Sequence, residues 1–228
     1  RIEPEAVPDG LNYDLWQGPA PDREYRPAIL PLNWRHNFDY SGGMITDWGA
    51  HHIDIAQLAM DMDHSGPIKI DNIKAELPAP DDLYNTATKF HFECAYASGV
   101  KMVVADTSEN PQGITFEGEG EKSIFVKRGD IKMNPVELRR ERIQENEKHV
   151  YKSTNHVSDF ISGIYSGGRT AAPIEASHRS ISICHLANIA IRLGRESLEW
   201  DPKRERVIND DKANAMLNRP IRGGWKLR

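Results

Sequence analysis

Asp47, His51 and Asp54 recur at spacings of four and three within GGMITDWGAHHIDIAQLAMDM, residues Gly42 to Met62. No other stretch gathers so many proton-handling groups on what reads as one helix. At about 100° per residue, the three side chains fall within an arc of roughly 60°. An imidazole takes or gives a proton near neutral pH, and a carboxylate one turn away can hold a substrate hydroxyl or tune the ring. Two other chemistries fit the same residues. An i,i+4 Asp/His pair on a solvated helix face does little, and two carboxylates with an imidazole are ligand types for a divalent ion. The flanks favour a built site. Gly42, Gly43 and Gly49 surround Asp47. A glycine inside a helix costs about 1 kcal/mol against alanine, so Gly49 is expected to mark the close approach of another group. His52 points about 100° away from His51 and reads as packed or capped rather than catalytic.

The elements that must position these residues follow from pattern. Trp48, Ile55, Ala59 and Met62 form a neighbouring arc expected to face the core, and Gly66-Pro67 stops the helix. Residues 1–40 are read as an extended arm. Pro4, Pro8, Pro19, Pro21, Pro27 and Pro31 leave its first part little periodicity, and Tyr13, Leu15 and Trp16 are its expected anchors. A strand-rich half comes next. Ile68 to Leu77 alternates loosely, and Thr86 to Ala97 sets Phe90, Phe92, Cys94 and Tyr96 against Lys89, His91 and Glu93. Ser98-Gly99 turns the chain into Val100 to Thr107 as a hairpin. Ile114 to Glu117, Ser123 to Val126 and a strand after Gly129-Asp130 complete five or six strands in a meander, hence one largely antiparallel sheet. Pro135 to His149 is charged and reads as a solvated helix or surface loop. Thr154 to Tyr165 is amphipathic and ends at Ser166-Gly167-Gly168. Glu175 to Leu193 is apolar on nearly every side and so is expected to be buried on more than one. Leu198 to Trp200 with Arg206 to Ile208 reads as a closing hairpin, and Asp211 to Leu217 as a short helix.

Composition narrows the function. The chain has 228 residues with a net charge of −5, from 29 basic and 34 acidic residues. That balance argues against nucleic-acid binding through phosphate contacts. No run of 18 apolar residues exists, so no membrane span is read. Cys94 and Cys184 read as two buried thiols, with a disulfide between them the other reading, and lacking CxxC partners they do not suggest structural zinc. The chain begins with Arg1 and shows no signal peptide. No GxGxxG follows a strand and no GxxxxGK[ST] occurs, so no nucleotide-phosphate cradle is visible.

Trp34 to Gln57, WRHNFDYSGGMITDWGAHHIDIAQ, resembles the Gfo/Idh/MocA oxidoreductases. Their C-terminal domain carries GG-x3-D-x-G-x-H-x2-D, matched here by Gly42, Gly43, Asp47, Gly49, His51 and Asp54. The likeness extends through LWQGPAP (Leu15 to Pro21), the helix around Asn155-His156 and Phe160, IEASHRS (Ile174 to Ser180) and the NRPIRGGWKL ending. Ile221 and Gly224 depart from the family's tail, where an aromatic and a proline are common. The resemblance implies an α+β fold over residues 1–228 as a single domain: an open, mostly antiparallel β-sheet with helices packed on one face. It implies no Rossmann domain in this chain. That NAD(P)-binding domain, with its catalytic lysine, is expected upstream, leaving the isolated chain inactive. The same resemblance assigns His51 as proton shuttle, Asp47 as orienting carboxylate and Asp54 as a hydroxyl contact. Arg35, Asn33 and His156 are further candidates for substrate, and Arg222 for the cofactor. The implied partners are a sugar or polyol substrate, NAD or NADP in the full-length protein, and a second copy of the chain through the open sheet face. Relatives with this wording are often exported, so both the cytoplasm and the periplasm stay open. Other readings are a non-catalytic scaffold with the same fold, or a metal-dependent enzyme using Asp47, His51 and Asp54.

Overall fold

The Gly42 to Met62 stretch is shorter as a helix than its sequence pattern suggests. In the computed structural model, which describes residues 3–79 and 81–226, Gly43–Ile45 forms a 3-10 turn and helix α2 runs only from Trp48 to Ala59. The core side of α2 is Gly49, Ile53, Ala56 and Gln57. This corrects the expected arc: Ile55 is exposed, because the stripe that meets helix α4 starts at Gly49.

Upstream, residues 3–40 are not simply extended. They hold helix α1 (Tyr13–Gln17) and 3-10 turns at Pro27–Ile29 and Asn33–His36. Asn12 caps α1 by accepting from the Leu15 amide at 2.9 Å. Tyr13 anchors the arm, buried and stacked on Trp16 at 5.5 Å. Leu15 does not, since the one turn of α1 that buries Tyr13 and Gln17 puts it in solvent. The first two residues of the arm and Leu227 of the tail motif lie outside the described residues.

The strands are β1 (Lys69–Glu76), β2 (Lys89–Ala95), β3 (Lys101–Ala105), β4 (Ile114–Glu117), β5 (Ser123–Lys127), β6 (Asp130–Asn134), β7 (Leu198–Asp201) and β8 (Arg206–Val207). They make two open antiparallel sheets instead of one meander: five strands in the order β3-β2-β1-β7-β8, and a smaller β4-β5-β6. The break follows β3. There the Asp106 carboxylate accepts from the Phe90 amide at 2.8 Å and the Ser108 amide at 2.7 Å, and the Asp106 carbonyl accepts from Glu109 and Asn110. A turn so satisfied cannot continue the ladder.

Helices α3 (His156–Ser166), α4 (Ile174–Arg192) and α5 (Asp211–Ala215) complete the chain. One face of the larger sheet gives Ile70, Phe90, Phe92 and Cys94 to the core, where they meet Ile183, Leu186, Ala187 and Ala190 of α4 and Ile53 of α2. This is the α+β arrangement of an open sheet covered by helices on one side. Among the described residues every strand pairing is antiparallel, and no doubly wound parallel sheet occurs. Cys94 and Cys184 are buried and free, and burial pushes the Cys184 thiol up to about 12.

The opposite face of the sheet carries charge. Lys69 meets Asp71 at 2.6 Å, Lys101 meets Glu93 at 2.7 Å, and His91 meets Glu109 at 2.7 Å. Paired charges of this kind let an antiparallel sheet face water. Helix α3 buries no residue, and Val157, Phe160, Ile161 and Ile164 of its apolar stripe are all exposed.

Candidate active site

The three residues of the signature part company at the start of α2. Asp47 is the residue before the helix, with φ −86° and ψ −91°, and its side chain makes no capping hydrogen bond. It accepts instead from Arg35 Nη1 at 3.1 Å. The expected three-residue arc therefore holds only for His51 and Asp54, because Asp47 lies outside helical backbone. Arg35 comes from the 3-10 turn Asn33–His36, which is pinned by Asn85 and Thr86 amides donating to the His36 carbonyl. In that turn Asn33 Nδ2 donates to the Tyr84 hydroxyl at 3.2 Å, and Tyr84 donates to the Ala28 carbonyl at 2.8 Å. Arg35 and Asp47 thus form an ion pair at the mouth of α2, while Asn33 belongs to the belt that holds the turn.

His51 and Asp54 line a cleft of about 810 Å³ between α2, the first turns of α4 and the small sheet. That volume is in the range of small-molecule sites. The His51 ring lies edge-on to Trp48, with centroids 5.8 Å apart. Among the described residues nothing hydrogen-bonds to its ring nitrogens, so both are available to a ligand. Asp54 Oδ1 accepts from the buried Ser180 hydroxyl at 2.9 Å. That bond fixes the carboxylate and leaves its other oxygen for a visitor.

Arg128, Glu175, His178 and Ser180 also line the cleft and were not singled out by sequence, as does His52, which was read as packed. His52 tilts against Trp48 at 5.8 Å. Burial, then the neighbouring His51 and Arg128, lower its pKa, so it is held neutral. Glu175 pairs with Arg179 at 2.7 Å and His178 with Glu205 at 2.6 Å. Their signal was the spacing within IEASHRS: Glu175 and His178 are i,i+3, one turn apart on α4. Arg128 gave none beyond its place beside Gly129 at a hairpin tip.

Two other candidates sit elsewhere. His156 is the exposed first residue of α3, where Asn155 caps the helix by accepting from the Ser158 amide at 2.9 Å, and it does not line the cleft. Arg222 ties tail to arm, donating to the Asp14 carboxylate at 2.6 Å and the Asp14 carbonyl at 2.9 Å. Among the described residues no group of three His, Cys, Asp or Glu is placed to hold a metal ion. The metal-dependent reading thus lacks its donor set, since Asp47 turns to Arg35.

Fold and cleft together describe an α+β domain with a cleft lined by His51, His52 and Asp54. The chain belongs to the Gfo/Idh/MocA oxidoreductases: residues 1–227 match the oxidoreductase family's C-terminal alpha/beta domain. No curated protein matches the chain. Among solved structures it is similar to an NAD-binding protein from Listeria innocua, with 14% identity and a TM-score of 0.47 over 74% of this chain and 51% of that one. It is also similar to the aldose-aldose oxidoreductase of Caulobacter crescentus complexed with glycerol, at 13% identity and TM-score 0.45, over 74% of this chain and 51% of that one. An oxidoreductase from Agrobacterium radiobacter, in complex with NAD+, L-tartaric acid and magnesium, aligns at 11% identity and TM-score 0.39, over 69% of this chain and 49% of that one. The matching region spans about half the length of each of these proteins.

Among the described residues Gly42 and Gly43 do not form a dinucleotide cradle. Gly42 and Gly43 are buried, and a Cβ on them would strike Asn188 and Thr86 respectively, so neither lies open beneath a phosphate. Among the described residues the helices longer than one turn start after Asp47, Asn155 and Pro173, not directly from a glycine. Among the described residues no helix is long and apolar enough to cross a membrane.

Proposed function

We propose that this chain is the substrate-binding and oligomerisation part of an NAD(P)-dependent oxidoreductase that acts on a CH–OH group of a sugar or cyclitol. The observation that carries the reading is the pairing in the cleft: an imidazole with no hydrogen-bond partner among the described residues, one turn from a carboxylate fixed by a buried serine. Oxidising an alcohol needs a base at the hydroxyl. His51 takes that proton. Asp54 accepts a hydrogen bond from a neighbouring hydroxyl. Asp47, paired with Arg35 outside the cleft lining, makes no direct contact with a substrate held there. Asn33, His156 and Arg222 have no part in the site. The hydride half of the reaction lies outside these residues, in a Rossmann domain that we place upstream of Arg1.

The chain alone is then silent and holds nicotinamide dinucleotides poorly. Isothermal titration of NAD+ and NADP+ into these 228 residues should give no tight binding, and a tight complex would overturn the division of labour. A scaffold reading would leave the cleft without chemistry, and an open reading frame lacking a Rossmann sequence upstream of Arg1 would favour it. Self-association through the free sheet face would rest on matched ion pairs, given the charges found there.

A further inference from the structure

We propose that the cleft takes a polyhydroxy acid rather than a neutral polyol, with Arg128 binding its carboxylate. This deepens the reading above and rests on it.

Arg128 stands at the tip of the β5–β6 hairpin, next to Gly129 at φ +76°. The tip carries it over the first turn of α2, where its guanidinium lies 4.8 Å from the centre of the Trp48 ring. It lines the same cleft as His51 and Asp54. A guanidinium held against an indole keeps its N–H edges free, in the fork geometry that matches a carboxylate.

The charge inventory shows what is missing. Glu175 is paired with Arg179, and the His178 ring with Glu205. Asp54 accepts from Ser180. Arg35, the other arginine that could greet a carboxylate, is paired with Asp47 outside the cleft. Among the described residues Arg128 and its neighbour Lys127 have no carboxylate partner, although both line the cleft. Arg128 also contributes to the lowered pKa of His52, so its charge is felt inside. A neutral polyol would leave both exposed cations with water as their only partner. A carboxylate on Arg128 would satisfy one of them and lay the hydroxyls toward His51 and Asp54.

The test is an NMR titration of the 228-residue chain that follows the His51 ring signals. The probes are D-gluconate, D-galactonate and D-glucuronate, each against its neutral counterpart D-sorbitol, galactitol or D-glucose. At least one acid should bind on the order of 10- to 100-fold tighter than its counterpart. Arg128→Gln should erase that difference, and Arg128→Lys should keep part of it. Circular dichroism checks that the variants fold, which an exposed hairpin-tip substitution should not disturb. Neutral polyols binding as tightly as the acids, or Arg128→Gln leaving the preference intact, would overturn the inference while keeping the cleft as the substrate site. If no probe moves the His51 signals, both the inference and the assignment of the cleft fail together.

Discussion

Gly43 sits at φ +70° against Thr86, so an alanine there meets both a strained backbone and a collision. Gly43→Ala should cost at least about 2 kcal/mol in a urea melt. Gly49 contrasts with it. Its Cβ would lie 3.5 Å from the Met44 carbonyl and 3.9 Å from Cys184 Sγ, which is ordinary contact. Gly49→Ala should be neutral or stabilising by up to about 1 kcal/mol, and a large loss would show that the helix start is tighter than drawn. His52 supplies a pH effect. Its folded pKa lies below the unfolded value, so the unfolded chain binds the extra proton first. Its contribution to stability is whole above the unfolded histidine range and is lost as pH falls through the depressed value. Thermal melts across that window should flatten in His52→Gln, and an unchanged slope would remove His52 as the cause. At this scale His51 and Asp54 were legible, because i,i+3 residues share a helix face whatever surrounds them. Asp47 was not, because one residue's shift in a helix boundary decides whether its side chain follows the stripe. Nor was Ser180, whose hydroxyl meets Asp54 across 126 positions of sequence.

Helix α2 is held at its far end by one buried amide. Gln57 Nε2 donates to the Met62 and Ser65 carbonyls at 3.0 and 3.1 Å, and Gln57 Oε1 accepts from the Tyr96 hydroxyl at 2.6 Å. Gln57→Leu keeps the volume and strands three polar groups, so it should cost about 2–4 kcal/mol. A denaturant midpoint equal to wild type would mean that those groups find other partners. The elements themselves were largely readable. Alternation gave β2 its inward Phe90, Phe92 and Cys94, and the all-round apolar pattern gave α4 its burial on several sides. What the pattern could not show was partnership. The apolar stripe of α3 was legible, but periodicity marks a face without saying whether anything covers it. The division into two sheets depended on the hydrogen bonding of Asp106, a turn whose polar satisfaction no strand pattern encodes.

For the whole molecule, the charged sheet face and the partnerless imidazole lead to different experiments. If two copies meet through Lys69, Asp71, Glu93 and Lys101, the contact is electrostatic and is screened by salt. Light scattering should then show a dimer that weakens as sodium chloride rises, whereas a monomer at low salt and high concentration would rule out that face. The chain's negative balance argued against nucleic-acid binding through phosphates, and the family signature led to an open sheet with helices on one face. Neither could supply the cleft's third wall, because Arg128 reaches Trp48 only through the fold of the small sheet. The central claim concerns His51 and needs the cofactor domain in place. In the full-length protein, His51→Gln should lower kcat on the order of 10²- to 10⁴-fold with dinucleotide affinity unchanged. Turnover equal to wild type in that variant would contradict the account.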